Sequence, residues 1–134
     1  MRFYVSAGSI DSLRAGLLAD VLTRRGHEHA LDRTFRRGDE RDEATLAELA
    51  FSELRAVRDA ELVLILLPGG ADTHTELGVA IATRGNKRII LWSERGEEFR
   101  LSALPSAYYL HSCVERVVCP FDELVNMLDK EQIG

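Results

Sequence analysis

Only two cysteines, Cys113 and Cys119, occur in the 134 residues. They form no CxxC pair and have no metal-ligand spacing, so neither a disulfide framework nor a cysteine-built metal centre organises the chain. Long apolar runs are missing too. The longest, Leu62 to Pro68, is far shorter than the ~20 residues that cross a bilayer. The opening Met1-Arg2-Phe3-Tyr4-Val5-Ser6-Ala7-Gly8 lacks the extended apolar stretch of a signal peptide. Positive charge is in the minority: 17 Lys+Arg stand against 22 Asp+Glu, for a formal charge of −5. An acidic chain without a basic stripe excludes polymeric nucleic acid as the expected partner. A small anionic nucleotide stays compatible, because one arginine or one helix N-terminus holds a phosphate. Internal repeats, linkers and low-complexity segments are also absent. Together these absences predict a cytoplasmic, reduced protein with no membrane partner.

What is present suits an ordinary globular domain: 46% hydrophobic and 29% charged residues. The length predicts one domain spanning residues 1–134.

Phe3, Val5 and Ala7 alternate with Tyr4 and Ser6 and run into Gly8-Ser9, which reads as a strand ending in a tight turn. Leu13, Leu17 and Val21, widened by Leu18 and Leu22, mark an amphipathic helix, with Asp11 or Ser12 as its cap and Gly26 as its stop. A weak strand at His27–Leu31 and a charged connection from Arg33 to Asp42 follow. Leu46, Leu49, Ala50, Leu54 and Val57 then describe a second helix over 43–58. Glu61 to Leu67, bounded by Pro68-Gly69-Gly70, reads as a strand covered on both faces. Thr73 opens a third helix that ends near Gly85. Strands at 88–92 and 114–118 and a helix at 121–130 complete the chain. Strands alternating with helices predict an α/β fold: a doubly wound, five-stranded parallel sheet of Rossmann or flavodoxin-like type, order 2-1-3-4-5, with helices on both faces.

Ligands of such sheets bind beyond the carboxyl ends of the strands, where strand order reverses. Here that place lies between strands one and three. It joins Ser6, Gly8 and Ser9 to Gly69, Gly70, Asp72, Thr73 and His74: two glycine turns, each feeding a helix N-terminus suited to a polar or anionic ligand. Glu76 follows on the third helix. Its spacing from Thr73 fits a capping box, with Thr73 as N-cap and Glu76 bonding back to the Thr73 amide. It also fits a carboxylate facing the cleft.

The run Pro68-Gly69-Gly70-Ala71-Asp72-Thr73-His74-Thr75-Glu76-Leu77-Gly78-Val79-Ala80-Ile81-Ala82, followed by Gly85-Asn86-Lys87-Arg88-Ile89-Ile90-Leu91-Trp92, resembles the nucleoside 2-deoxyribosyltransferase family, which includes 2'-deoxynucleoside 5'-monophosphate N-hydrolases. The likeness covers about a quarter of the chain. It implies that Glu76 is the nucleophile, that Tyr4 on the first strand orients it, and that Glu53 stands where the family has a proton-donating aspartate. Gly8-Ser9-Ile10 is similar to the phosphate-side turn of the monophosphate hydrolases, which continue with an arginine and glycines where this chain has Asp11-Ser12-Leu13-Arg14. The strand start Asn86-Lys87-Arg88 lacks the family's common proline. A second likeness, Pro-Gly-Gly-x-x-Thr-x-x-Glu, is to cytokinin-activating nucleoside 5'-monophosphate phosphoribohydrolases, whose upstream glycine cluster this chain does not carry.

Both resemblances imply cleavage of an N-glycosidic bond in a (deoxy)nucleoside or its 5'-monophosphate, with the sugar passed to water or to another base. Such a reaction builds positive charge at the anomeric carbon, which a carboxylate stabilises or attacks, while a second carboxyl protonates the leaving base. Glu76 suits the first role. Glu53 suits the second, with Asp72 next in line. Ser6, Gly8, Ser9, Gly69, Gly70, Thr73 and His74 are the expected substrate contacts. No cofactor or metal is called for, and His27, His29, His74 and His111 are scattered. The resembled family implies a homodimer or larger assembly, for which Tyr108-Tyr109, beside His111, offers a contact. Trp92 suits the core or an interface better than stacking on a base. A nucleotide-binding module that keeps the fold without turnover is the alternative from a different class.

Overall fold

A computed structural model describes residues 1–31 and 42–130. The elements run β1 (Arg2–Ala7), α1 (Ser12–Arg24), β2 (Glu28–His29), α2 (Glu43–Asp59), β3 (Leu62–Leu66), α3 (Ala71–Ala82), β4 (Arg88–Ser93), β5 (Val114–Val118) and α4 (Phe121–Lys130). The sheet is wholly parallel, in the order β2-β1-β3-β4-β5. From β1 the chain steps outward to β2 on one side, then returns across to β3 on the other. The order therefore reverses between β1 and β3, as the alternation of elements predicts. The charged connection read over 33–42 lies outside the described residues except for Asp42, whose carboxylate caps α2 by accepting from the Thr45 amide at 2.7 Å.

β3 carries the centre of the fold. All five of its residues are buried, and their alternation divides the core in two. Leu62, Leu64 and Leu66 join Phe3, Leu18, Leu22, Ile90, Trp92, Leu124 and Leu128 under α1 and α4. Val63 and Ile65 join Tyr4, Val57, Leu77, Ile81, Leu91 and Tyr109 under α2 and α3. Trp92 is a core residue: 1% exposed, its indole N–H donates to the Cys119 carbonyl at 2.9 Å.

Two helix readings need correction. α1 meets the sheet through Leu18 and Leu22, whereas Leu13 and Leu17 are 84% and 55% exposed. They lie about 140° and 100° round the helix from Leu18, outside the stripe that α4 and the sheet cover. Asp11 precedes α1, but its side chain makes no capping bond. α3 begins two residues before Thr73, with Gly70 as its cap. Thr73 sits in the first turn, where its hydroxyl accepts from the Gly70 amide at 3.1 Å. Among the described residues, no helix is long and apolar enough to cross a membrane.

Candidate active site

The glycine turns meet at the carboxyl ends of β1 and β3. Gly69 has φ +67, and a Cβ there would stand 2.7 Å from Thr73 Cγ2. A Cβ on Gly8 would come within 3.1 Å of the Gly69 carbonyl carbon. Glycine at both places lets the β1 turn and the β3 turn close on one another.

Above them opens a cavity of about 750 Å³, walled among the described residues by β1, the first turns of α1, the end of β2, and parts of α2 and α3. Tyr4 and Ser6 alternate onto one face of β1, toward α3. There both hydroxyls donate to Glu76: Tyr4 to Oε2 through a short hydrogen bond, Ser6 to Oε1 at 2.8 Å. Glu76 is 5% exposed. Burial pushes its carboxyl up to about 7; the Tyr4 and Ser6 hydroxyls oppose that shift, while the charges of Glu53 and Asp72 add to it. The capping-box reading fails here. Glu76 lies in the second turn, beyond the free amides of the helix start, and its carboxyl is spent on β1.

Glu53, half-buried on α2, and the exposed Asp72 stand on the cavity wall with Glu76. So do Gly8, Ser9, Gly70 and Thr73. Gly69 and His74 are not on that wall. Gly69 lies beneath Thr73. His74, about 200° round α3 from Glu76, turns its ring away to Gly70 and Tyr109. Tyr109 is fully buried and cannot form a contact between subunits, which corrects half of the aromatic pair; Tyr108 is 60% exposed. His29, Leu31, Leu49, Ser12 and Gly16 also line the cavity and were not singled out from sequence. Leu49 carried a signal, as an apolar residue on the α2 stripe; His29 and Leu31 sit on a strand of two residues, too short to project a pattern.

A second groove of about 200 Å³ runs between α2 and α3, lined by Leu46, Leu49, Ala50, Leu54 and Thr75 and reaching the same three carboxyls. Glu76 is thus approached from two sides.

No family profile matches the chain, and no curated protein sequence does. Among solved structures, the CMP N-glycosidase BcmB of Clostridium botulinum superposes with a TM-score of 0.67, covering 96% of this chain and 98% of that one at 22% identity. The two share a fold.

Proposed function

We propose that this chain cleaves the N-glycosidic bond of a nucleoside or nucleoside 5'-monophosphate. The observation that carries the reading is Glu76: a buried carboxyl, held by two hydroxyls of β1, at the floor of a cavity where doubly wound sheets bind their ligands. The likeness to a CMP N-glycosidase supports it, as do the nucleoside 2-deoxyribosyltransferase-like residues between Pro68 and Trp92.

In this reading Glu76 acts as the carboxylate. One oxygen bonds to the anomeric carbon as the C–N bond breaks, and the bonding pair leaves with the base. Glu53 gives the base its proton, since a base leaves poorly as an anion. Water, or a second base, then attacks the same carbon, releases Glu76 and returns a proton to Glu53. Tyr4 and Ser6 keep both Glu76 oxygens aimed and lower the cost of ionising a buried group.

The direct test is release of free base from a panel of nucleosides and their 5'-monophosphates, CMP among them, with and without an acceptor base. Release that vanishes in Glu76→Ala supports the reading; tight binding without release from any substrate marks a binding module instead. The reading includes a homodimer, supported by Leu46, Phe51 and Leu54 standing 47%, 62% and 38% exposed along α2 beside the groove that reaches Glu76. Light scattering that shows only a monomer at micromolar concentration counts against that part.

A further inference from the structure

The turn after β3, whose Gly70 lines the cavity, is fastened from outside the site. The Gly70 carbonyl accepts from the His74 ring Nδ1 at 2.7 Å and from the His74 amide at 3.2 Å. The other ring nitrogen, Nε2, meets the Tyr109 hydroxyl at 2.5 Å. Nδ1 faces a carbonyl and must carry the proton, so Nε2 is the acceptor and Tyr109 the donor. Burial, with the charge of Glu98 adding to it, pushes the Tyr109 hydroxyl up to about 12, which keeps that donor protonated. The two rings stack at 5.7 Å, and Phe99 abuts Tyr109 edge-on at 6.0 Å. Tyr109 itself is 0% exposed, in the short turn Ala107–Leu110 between β4 and β5. A rigid phenol in the core is therefore tied through one imidazole to the backbone of Gly70, whose own amide is held by Thr73.

We infer that His74 and Tyr109 are positioning residues, which hold the Gly69-Gly70 turn where the reaction at Glu76 needs it. The inference rests on the reading of Glu76 as nucleophile. Neither residue touches the substrate cavity. They act through Gly70, Ala71 and Asp72, which form its wall, and through the start of the helix that carries Glu76. A cavity wall displaced by about 1 Å costs up to ~100-fold in rate when the reacting groups must meet in line.

Two readouts separate positioning from mere packing. The first is kcat against KM for base release. His74→Ala should lower kcat roughly tenfold with KM held within about twofold. Tyr109→Phe, which keeps the ring and its packing, should give a smaller loss of the same kind. His74→Asn restores a donor near the Nδ1 position and should recover most of the His74→Ala loss. The second readout needs no activity: the titration of the Glu76 carboxyl, followed by carbon NMR in the full chain. Tyr4 on β1, Glu53 on α2 and Asp72 on α3 are the titratable groups that face it, and none of them is altered. A loosened turn admits water, so the midpoint should move down from about 7 toward 4.5. Variants that melt earlier but keep wild-type kcat and midpoint overturn the inference. If the wild type releases no base from any substrate, the nucleophile reading fails, while the midpoint still decides here: a downward move supports positioning, an unmoved one ends it. If His74→Ala does not fold, Tyr109→Phe carries the same two measurements.

Discussion

Among the described residues the fold buries two carboxylic acids, Asp11 just after the β1 turn and Glu76 on α3 against β1, and it treats them in opposite ways. Asp11 and Glu76 are 6% and 5% exposed. Asp11 faces the α1 and α4 side. A cation answers it: Arg14 Nη1 lies 3.4 Å from Oδ1, Nη2 reaches Glu94 Oε2 at 3.1 Å, and the guanidinium carbon lies over the rings of Trp92 and Phe121 at 5.6 and 5.3 Å. Glu76 faces the α2 and α3 side and is answered by two hydroxyls, Tyr4 and Ser6. A carboxylate fastened to an arginine is fixed in place. One that is desolvated, with neutral donors alone, has its ionisation brought near neutrality and opens onto a cavity where a developing cation can settle. Equal burial thus goes with a strut in one place and, in the proposed reading, with a reagent in the other.

The largest expected effect follows from removing the reagent. Glu76→Gln should abolish base release while the fold persists. It should also make the protein more stable at alkaline pH. A carboxyl with a midpoint of about 7 in the fold against 4.5 in the unfolded chain favours folding when protonated. That contribution is complete below 4.5 and lost as pH rises through 7. Glutamine does not ionise, so the variant should gain up to about 3 kcal/mol over the wild type near pH 8 and almost nothing near pH 4. Denaturation at the two values checks the sign, and a variant destabilised equally at both removes the contrast with Asp11.

Next in size is Glu53→Gln. If Glu53 is the acid, substrates with poor leaving bases should slow by ~10²–10⁴-fold, while bases that leave readily as anions are largely spared. The alkaline limb of the rate profile should flatten at the same time. Equal slowing of both substrate types transfers the acid role to Asp72, which stands on the same wall.

Tyr4→Phe comes third. It removes the stronger of the two donors that favour ionised Glu76. The acid limb of the profile, expected near 7, should therefore move upward, with the rate falling roughly ten- to a hundredfold. Ser6→Ala should do the same to a lesser degree. A limb that stays in place under both changes shows that the hydroxyls do not set the ionisation of Glu76.

How much of this could be read from the residues varies with how local each cause is. The strand order was legible because strands alternate with helices along the chain, and Leu62 to Leu66, closed by Pro68-Gly69-Gly70, reads as a strand covered on both faces. Tyr4 and Ser6 sharing a face was legible from the period of two. The role of Glu76 was not settled by spacing, because Thr73-x-x-Glu76 serves a cap and a cleft alike. The helix starting at Ala71 removes the cap reading, because it carries Glu76 beyond the unpaired amides. The pairing of His74 with Tyr109 spans 35 positions, and no local pattern announces it. The exposed flank of α1 misled for the same reason: Leu13 and Leu17 look like a buried stripe until α4 takes the neighbouring face.

The smallest effect is expected on the strut, and it is the sharpest check on the comparison. Arg14→Ala takes away the cation beside Asp11 and the cover over Trp92 and Phe121. The Asp11–Arg14 contact is long, the arginine side chain is 40% exposed, and Asp11 Oδ2 has no partner among the described residues. The loss should therefore be about 1–2 kcal/mol of stability, since a partly exposed ion pair and each ring contact contribute less than about 1 kcal/mol apiece. Base release should stay within about twofold of the wild type for nucleosides and for their 5'-monophosphates alike. Asp11→Asn should cost still less, because it removes the buried charge along with its partner's need. Phosphate is the point at which this could break. The segment Asp11-Ser12-Leu13-Arg14 stands where the resembled monophosphate hydrolases continue with an arginine and glycines, and Ser9 and Ser12 line the cavity. If Arg14→Ala raised KM for 5'-monophosphates but not for nucleosides, Arg14 would be serving the substrate rather than Asp11. The two buried carboxylates would then belong to one site, and the division between strut and reagent would no longer follow the two faces of the sheet.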